Sequence, residues 1–383
     1  VCYPTTILCS MNVKKLEEKL KTTLGTREKL EILDEIAAYC YDQDEYQKAA
    51  KYYQEAGKLV PLGNPRAYYE GQEGICHFLL TKDKEAYRAL MAAKEMFRPD
   101  EEDFDPEIYG LVYYFLGSLY EYNGENDASL RVRLEALNYL KYLHREAQWM
   151  LLAGISRNYE ERGEFRQSVK FNTQAISLIS DNDPEVAYIF ESLGFSHYEL
   201  GEYDKALGYF SQVLEVAPDF EREDDIYFTI GLCYQRLLNF RMALDSYLKL
   251  LELKELDGDK DSLSWLCIEI AHCYYSLKEH KKSLEFVERA LKEPIEDKEQ
   301  RAEIHSYLTN NYYALGRFKK AVEAGEKTLK ICDKFHNIEI MLPNLALSYY
   351  QLGKKDKFNF YRDWCNRDFP ALSWTKQLNK LEL

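Results

Sequence analysis

Large, small and aromatic residues recur along this chain with the spacing of paired helices. The clearest copy contains, in order, Leu193-Gly194, His197-Tyr198, Leu200-Gly201, Tyr203, Ala206, Phe210 and Pro218. Positions three and four residues apart share one face of a helix, and small residues let two helices approach to about 8–10 Å. The pattern therefore predicts two antiparallel helices that pack against each other, repeated many times.

One small residue in the first helix of each predicted pair traces the repeat. These residues are Ala37, Gly74, Gly117, Ser156, Gly194, Gly231, Ala271, Thr309 and Ala346. A second position follows twelve residues later and is small in every copy except the last: Ala49, Ala86, Ser129, Ser168, Ala206, Ala243, Ser283, Ala321 and Phe358. A period between about 20 and 50 residues indicates a solenoid. No segment alternates with the period of two that is typical of a half-buried strand.

These copies resemble the repeats of the tetratricopeptide repeat (TPR) family. The match is strongest around Gly194, Gly231, Ala271 and Thr309, and weakest around Gly74. The resemblance implies an all-α fold, a right-handed superhelical α-solenoid of about nine TPR-like helix pairs. The copies are longer than the family's unit of about 34 residues. We therefore expect longer loops or an extra helical turn between successive pairs.

The repeats are predicted to form one continuous array over residues 28–366. Residues 12–27 are predicted to form a leading helix and residues 367–383 a C-terminal capping helix, because the ends of a solenoid need a polar outer face. Residues 1–11 are predicted to be disordered, or to reflect a start assigned too early, since Val1 precedes Met11.

Three acidic residues are predicted to begin helices. Asp105 and Asp183 each precede a proline, and Asp297 is followed three residues later by Gln300. A carboxylate can accept hydrogen bonds from the free amide groups of a first turn, and proline suits the first helical position.

Charge and hydropathy exclude two classes of partner. The net charge of −15 argues against nucleic acid, because an acidic surface repels phosphates. The sequence has no run of about 18 apolar residues, so no membrane insertion is predicted. We expect a cytoplasmic protein.

The nine cysteines are interpreted as structural thiols. Cys40, Cys76, Cys233 and Cys273 fall at or beside the predicted packing positions of first helices, where cysteine behaves as a small apolar residue. Free thiols fit a reducing compartment.

The search for catalytic and metal motifs yields one weak candidate. The segment Asp257-Gly258-Asp259-Lys260-Asp261 has the alternating carboxylates of a calcium loop, but Ser262 and Ile268 replace the glycine and the acidic ligand that such a loop needs. No phosphate-binding or hydrolase motif occurs. The sequence therefore predicts no catalytic residue, no metal, no cofactor and no enzyme activity.

In TPR proteins the first helix of each pair lines an inner groove. The resemblance places the groove-lining residues six and three positions before the first-helix small residue and one, four and five positions after it, and we call these positions the inner face. The partner-binding residues predicted on or beside it are Tyr114, Arg157, Tyr188, Glu191, Phe195, Tyr198, Phe228, Gln235, Arg236, Trp265, His272, Tyr275, Asn310, Tyr313, Asn344 and Tyr350. Rings and hydrogen-bonding groups suit a peptide. The alternative is that the rings fill a tightly wound superhelix.

The chaperone-binding members of the family hold a C-terminal carboxylate between basic residues and asparagines on the inner face. Asn310 and Asn344 stand at suitable places, but Ser306 occupies a position where a basic residue is expected. A chaperone C-terminus is therefore not the expected ligand.

Three functions remain open from the sequence. The leading hypothesis is a non-enzymatic adaptor that binds a peptide or helical segment of a partner protein in its aromatic groove. The second is a peptide-responsive bacterial regulator of the TPR type, although residues 1–27 are short for the effector region that such regulators carry before their repeats. The third is a scaffold that forms homo-oligomers through an end repeat.

Overall fold

The structure, a computed structural model, describes residues 13–180, 183–257, 263–292 and 295–381. Within these ranges the chain forms 20 α-helices and one short 3-10 turn, and no strand. The predicted all-α solenoid of helix pairs is confirmed. Residues 1–11, for which disorder or a misassigned start was predicted, lie outside the described ranges.

The chain divides into two compact units, Val1–Pro218 and Asp219–Leu383, which we call unit 1 and unit 2. The helices of unit 1 are α1 (Val13–Thr22), α2 (Thr26–Asp42), α3 (Tyr46–Gly57), α4 (Asn64–Leu79), α5 (Asp83–Met96), α6 (Pro106–Tyr122), α7 (Asn126–Leu137), α8 (Arg145–Glu161), α9 (Phe165–Ile176), α10 (Val186–Glu199) and α11 (Tyr203–Val216), with the 3-10 turn at Leu140–Tyr142. Each helix from α2 to α11 packs with its pair partner, and α1 packs on α2.

Unit 2 is also built of paired helices. Its helices are α12 (Glu223–Arg236), α13 (Phe240–Asp257), α14 (Leu263–Ser276), α15 (His280–Ala290), α16 (Lys298–Ala314), α17 (Phe318–Ile331), α18 (Ile338–Gln351), α19 (Lys355–Asp368) and α20 (Ser373–Leu378). The short α20 packs against α18 and α19.

The segments predicted at the two ends contain more than one element each. Residues 12–27 include α1 and the first residues of α2, and residues 367–383 include the end of α19 and all of α20.

Close contacts within the pairs occur at the small residues that define the repeat. All nine first-helix positions and all nine second-helix positions are buried, including Phe358. A Cβ atom added to Gly194 would lie 2.6 Å from the ring of Phe210, and one added to Gly231 would lie 2.3 Å from the ring of Tyr247. A large ring of the second helix therefore fills the space that the first-helix glycine leaves open.

Two of the three predicted helix starts are confirmed. Asp105 accepts hydrogen bonds from the amides of Glu107 and Ile108 at 2.9 and 3.1 Å. Asp297 accepts one from the amide of Gln300 at 2.6 Å. The prediction for Asp183 was wrong: its carboxylate accepts a hydrogen bond from the amide of Glu185 at 3.0 Å, but α10 begins only at Val186. The carboxylate closes a turn before the helix instead of capping its first residue.

The buried thiols follow the sequence prediction. Cys40, Cys76, Cys233 and Cys273 are all free and 0% exposed. Burial raises the pKa of Cys40 to about 11 and that of each of the other three to about 12.

The turns between paired helices share a residue with positive φ. Five of the nine turns use a glycine there, such as Gly201 (φ 75°) and Gly316 (φ 71°), and the other four use Asp44, Thr81, Leu238 and Lys278. Leu238, in the α12–α13 turn, has a φ of 58°. A leucine in this left-handed region costs about 1–2 kcal/mol. Its side chain is 75% exposed and packs little.

We expect Leu238→Gly to raise the free energy of unfolding by roughly 0.5–1 kcal/mol, because glycine relieves the strain but loses more conformational entropy on folding. Denaturant unfolding followed by circular dichroism measures the change. Leu237→Gly is the matched control: Leu237 has a φ of −81°, so this variant should lose stability. A Leu238→Gly variant less stable than the wild type would show that the leucine side chain makes a stabilising contact.

Candidate functional site

The predicted partner-binding residues lie on the first helices of the pairs in both units. In unit 1 they lie on α6, α8 and α10, and in unit 2 on α12, α14, α16 and α18. The inner face therefore has one part in unit 1 and one part in unit 2.

The inner face of unit 1 combines exposed rings with charged groups. Phe195 is 42% exposed, and its ring centroid lies 6.0 Å from that of Phe165. Tyr198 is half-buried beside Tyr203, with 5.8 Å between ring centroids. The remaining predicted residues on α10, Tyr188 and Glu191, are also half-buried. This part of the face is therefore accessible through Phe195.

Arg157 connects two neighbouring first helices. Its Nη1 donates to Oε1 of Glu121 at 3.2 Å, and its side chain is 59% exposed. The other carboxylate oxygen of Glu121, Oε2, lies 2.7 Å from Nη2 of Arg133. One carboxylate thus joins an exposed arginine and a buried arginine.

Arg133, on the second helix α7, is 1% exposed. Its guanidinium donates to the carbonyl oxygen of Gly154 at 3.0 Å, to Oδ1 of Asn158 at 2.8 Å and to Oγ of Ser118 at 3.2 Å. The group also lies 5.9 Å from the ring of the predicted site residue Tyr114. Burial lowers the pKa of Arg133, while the adjacent Glu121 carboxylate opposes that shift.

A second buried polar network surrounds Glu160 on the inner face of α8. Its Oε1 accepts hydrogen bonds from Ser168 at 2.7 Å, from Ser196 at 3.0 Å and from Ser192. Burial raises the pKa of Glu160, and the three serine hydrogen bonds counteract part of this effect. The network attaches α8, which carries Glu160, to α10, which carries Phe195.

The predicted aromatic residues of unit 2 pack largely on one another or on second helices. Phe228 and Trp265 lie edge to face with their centroids 4.4 Å apart. Other pairs are His272 with Tyr307, Tyr275 with His280, Tyr313 with Phe318, and Tyr350 with Phe358. Part of this face is therefore filled by its own rings. Burial lowers the pKa of His272, and Glu269 opposes that shift.

Two polar pairs join neighbouring first helices of unit 2. Gln235 donates from Nε2 to Glu269 at 2.8 Å, while Arg236, next to it in sequence, is exposed. Asn344 on α18 donates from Nδ2 to Oδ1 of Asn310 on α16 at 2.8 Å. Asn310 is only 3% exposed, whereas Asn344 is half-buried.

Tyr275 lies close to the asparagine pair. Burial raises the pKa of the Tyr275 phenol, and the nearby Asn344 amide opposes that rise. The phenol thus belongs to the same cluster as the two amides. The structure brings together Tyr275, Asn310 and Asn344 from three different first helices.

The sequence pattern did not single out Arg133 or Glu121. Arg133 occupies the position that Leu90, Phe210 and Tyr247 fill in other pairs, sixteen residues after the first-helix small residue. The signal available in the sequence was a charged residue at a position that is apolar in the other pairs. Its role could not be predicted, because the carboxylate that pairs with Arg133 belongs to Glu121 on another helix.

Among the described residues, no group of three or more His, Cys, Asp or Glu side chains could hold a metal ion. Residues 258–261 of the calcium-loop candidate lie outside the described residues. No described helix combines the length and the apolar character needed to cross a bilayer.

Comparison with known proteins gives matches to repeats and to solved folds. Family models described as tetratricopeptide repeat match residues 187–220 and 224–255. No curated protein matches the chain significantly.

Solved structures with a similar fold share little sequence with this chain. RapI in its apo form is 15% identical, with 96% of this chain and 97% of RapI aligned at a TM-score of 0.53. A signal transduction ATPase with numerous domains and a tetratricopeptide repeat sensor, from Pyrococcus horikoshii, is 15% identical over 92% of this chain and 54% of its own, with a TM-score of 0.54. A tetratricopeptide repeat protein from Parabacteroides merdae is 16% identical over 74% and 99%, with a TM-score of 0.44.

The repeat matches cover one helix pair at the end of unit 1 and one at the start of unit 2. The same pairing of helices, with small residues at the contact, recurs in both units. The chain therefore contains two tetratricopeptide repeats, at residues 187–220 and 224–255, and together with the helix-pair solenoid these matches support a tetratricopeptide repeat protein.

Proposed function

We propose that this protein is a protein-interaction module that binds an extended peptide segment of a partner on the inner face of unit 2. The observation that carries the proposal is the pair of amides from Asn310 and Asn344, held 2.8 Å apart on neighbouring first helices. The family's fold is a typical non-catalytic interaction scaffold, which agrees with a role in binding.

The chemistry of the pair suits a peptide backbone. An extended peptide presents amide donors and carbonyl acceptors that need partners, and an asparagine side chain supplies both kinds of group. Asn310 is engaged and almost fully buried, so it serves to orient Asn344, which is half-buried. Asn344 is therefore the residue that pairs with the ligand.

The rings around the pair provide flanking contacts. Tyr275 interacts with Asn344, and Tyr313 and Tyr350 occupy the equivalent position on the next two first helices, four residues after the small residue. All three are half-buried. Their rings can cover apolar peptide side chains while the hydroxyl groups reach solvent or the ligand.

A peptide selected from a displayed random library against the whole protein provides the ligand for the test. We expect Asn344→Ala to lower the affinity for the selected peptide about 2- to 10-fold, as the loss of one hydrogen bond implies. Isothermal titration calorimetry measures the affinity. Asn359→Ala on the second helix α19 is the matched control and should leave the affinity unchanged. Equal affinities for all three proteins, or no selected peptide at all, would refute the proposal.

The scaffold hypothesis from the sequence makes a separate prediction about mass. Size-exclusion chromatography with light scattering distinguishes the scaffold from the adaptor. An adaptor stays a monomer at the concentrations used for titration, whereas the molar mass of a scaffold increases with protein concentration. The fold likeness to RapI and to the archaeal sensor does not favour the regulator hypothesis over the adaptor.

A further inference from the structure

We propose that the inner face of unit 1 binds a basic peptide segment, in which arginine or lysine residues alternate with apolar ones. This inference rests on the proposed function and specifies the kind of partner that unit 1 takes. It is carried by the combination of accessible rings and carboxylates on three consecutive first helices, α6, α8 and α10.

The charged groups on these helices are mostly acidic. The inner-face residues with formal charge on α6, α8 and α10 are Glu121, Glu160, Glu161, Arg157, Glu191 and Glu199. Glu161 and Glu199 are exposed, so a ligand can reach their carboxylates without displacing other side chains. Glu121 is already paired with Arg133 and Arg157, and Glu160 is already bonded to serines. The negative charge that a ligand meets is therefore mainly that of Glu161 and Glu199.

The exposed groups occupy equivalent positions on neighbouring helices, because Tyr122, Glu161 and Glu199 each lie five residues after the first-helix small residue. Phe195 and Glu199 are four residues apart on α10, as are Arg157 and Glu161 on α8, so each pair lies on one side of its helix. The bond from Arg157 to Glu121 attaches α8 to α6, and the bond from Ser196 to Glu160 attaches α8 to α10. Tyr122, 79% exposed at the end of α6, adds another accessible ring to this face.

The protein already holds one of its own arginines in this manner. Arg133 is bound by the Glu121 carboxylate at 2.7 Å, with the Tyr114 ring at 5.9 Å and the carbonyl oxygen of Gly154 at 3.0 Å. A carboxylate and an aromatic face together attract a guanidinium group more strongly than either does alone. Phe195 and Glu199 offer a ligand the same two groups on an exposed surface.

A basic segment fits this surface better than an acidic or neutral one. Its cations would lie over Phe195 and Tyr122 and pair with Glu161 and Glu199, while its apolar residues would cover the remaining ring surface. An acidic segment would bring like charges together and lose affinity. Charge complementarity thus selects the occupant.

The test uses three fluorescent peptides of equal length that share the same leucine positions and carry arginine, glutamine or glutamate elsewhere. Fluorescence anisotropy with the full-length protein measures each affinity. We expect the arginine peptide to bind about tenfold or more tightly than the glutamate peptide, and its affinity to fall as salt rises. Equal affinities for the three peptides would overturn the inference.

Variants locate the binding surface. Glu161→Gln and Glu199→Gln should each lower the affinity for the arginine peptide about two- to fivefold, as expected for the loss of one exposed ion pair. Phe195→Ala should also weaken it about two- to fivefold through the lost cation–ring contact. Circular dichroism checks that each variant is folded.

A control variant has the same net charge as the double variant Glu161→Gln/Glu199→Gln, but its substitutions lie on other helices. Glu95 on α5 and Glu215 on α11 are exposed on second helices of the same unit. If Glu95→Gln/Glu215→Gln weakens the arginine peptide as much as Glu161→Gln/Glu199→Gln does, the attraction is a property of net charge and the inference fails. That failure leaves the effect of Asn344→Ala on the library-selected peptide intact, so the two proposals are tested independently.

Discussion

Arg133→Ala should lower the free energy of unfolding of unit 1 by about 3–5 kcal/mol, the range for breaking a buried ion pair by removing one partner. The guanidinium is fully buried and bonded to Glu121, Gly154 and Asn158. Its removal leaves Asn158, which is 0% exposed, without its charged donor, and opens a cavity against Gly117 and Gly154. Chemical unfolding followed by far-ultraviolet circular dichroism measures the loss.

Arg131→Ala is the matched control for this variant, because Arg131 lies two residues earlier on α7 and is exposed. Its free energy of unfolding should stay within about 0.5 kcal/mol of the wild type, as for most surface substitutions. If Arg133→Ala and Arg131→Ala unfold at the same denaturant concentration, the buried network does not stabilise the α6, α7 and α8 contact.

Ala206→Leu should destabilise unit 1 by roughly 1–3 kcal/mol or more, because extra methylene groups overpack a close helix contact. Ala206 is 0% exposed, and the neighbouring Gly194 already lies against the ring of Phe210. Ala243→Leu should act in the same way in unit 2, where Ala243 is also 0% exposed. The shift of the denaturation midpoint reports the effect.

Tyr198→Ala provides the comparison within unit 1. Its side chain is half-buried and contacts Tyr203 at the edge of the inner face, so its truncation should cost clearly less stability than Ala206→Leu. Equal midpoints for the two variants would mean that Tyr198 packs into the core and does not belong to a binding surface.

The pairing of helices could be predicted because it depends on local spacing. A small residue at Gly194 and another at Ala206 lie twelve positions apart, and both must face the same contact if the two helices are joined by a short turn. Each repeat contacts mainly its neighbours, so the same local rule applies to every copy. The helix starts at Asp105 and Asp297 were predictable for the same reason, whereas Asp183 showed that a carboxylate can also close a turn upstream of a helix.

The inner face could be predicted only as a set of positions. The pattern placed Tyr275, Asn310 and Asn344 on first helices, but not the hydrogen bond of 2.8 Å between the two amides or the low exposure of Asn310. These depend on the offset between successive helices, which no spacing within one repeat specifies. The same is true of Phe228 and Trp265, whose rings pack on each other.

The sequence by itself therefore determined the fold of this protein: the helices, their pairing and the buried small residues all follow from apolar and small positions at helical spacing. The tertiary structure alone decided which polar groups meet. Glu121 on α6 bonds both Arg133 on α7 and Arg157 on α8, and Glu160 gathers serines from α9 and α10. Hydrogen bonds require atoms within about 3 Å, and that proximity arises only when separate helices have packed.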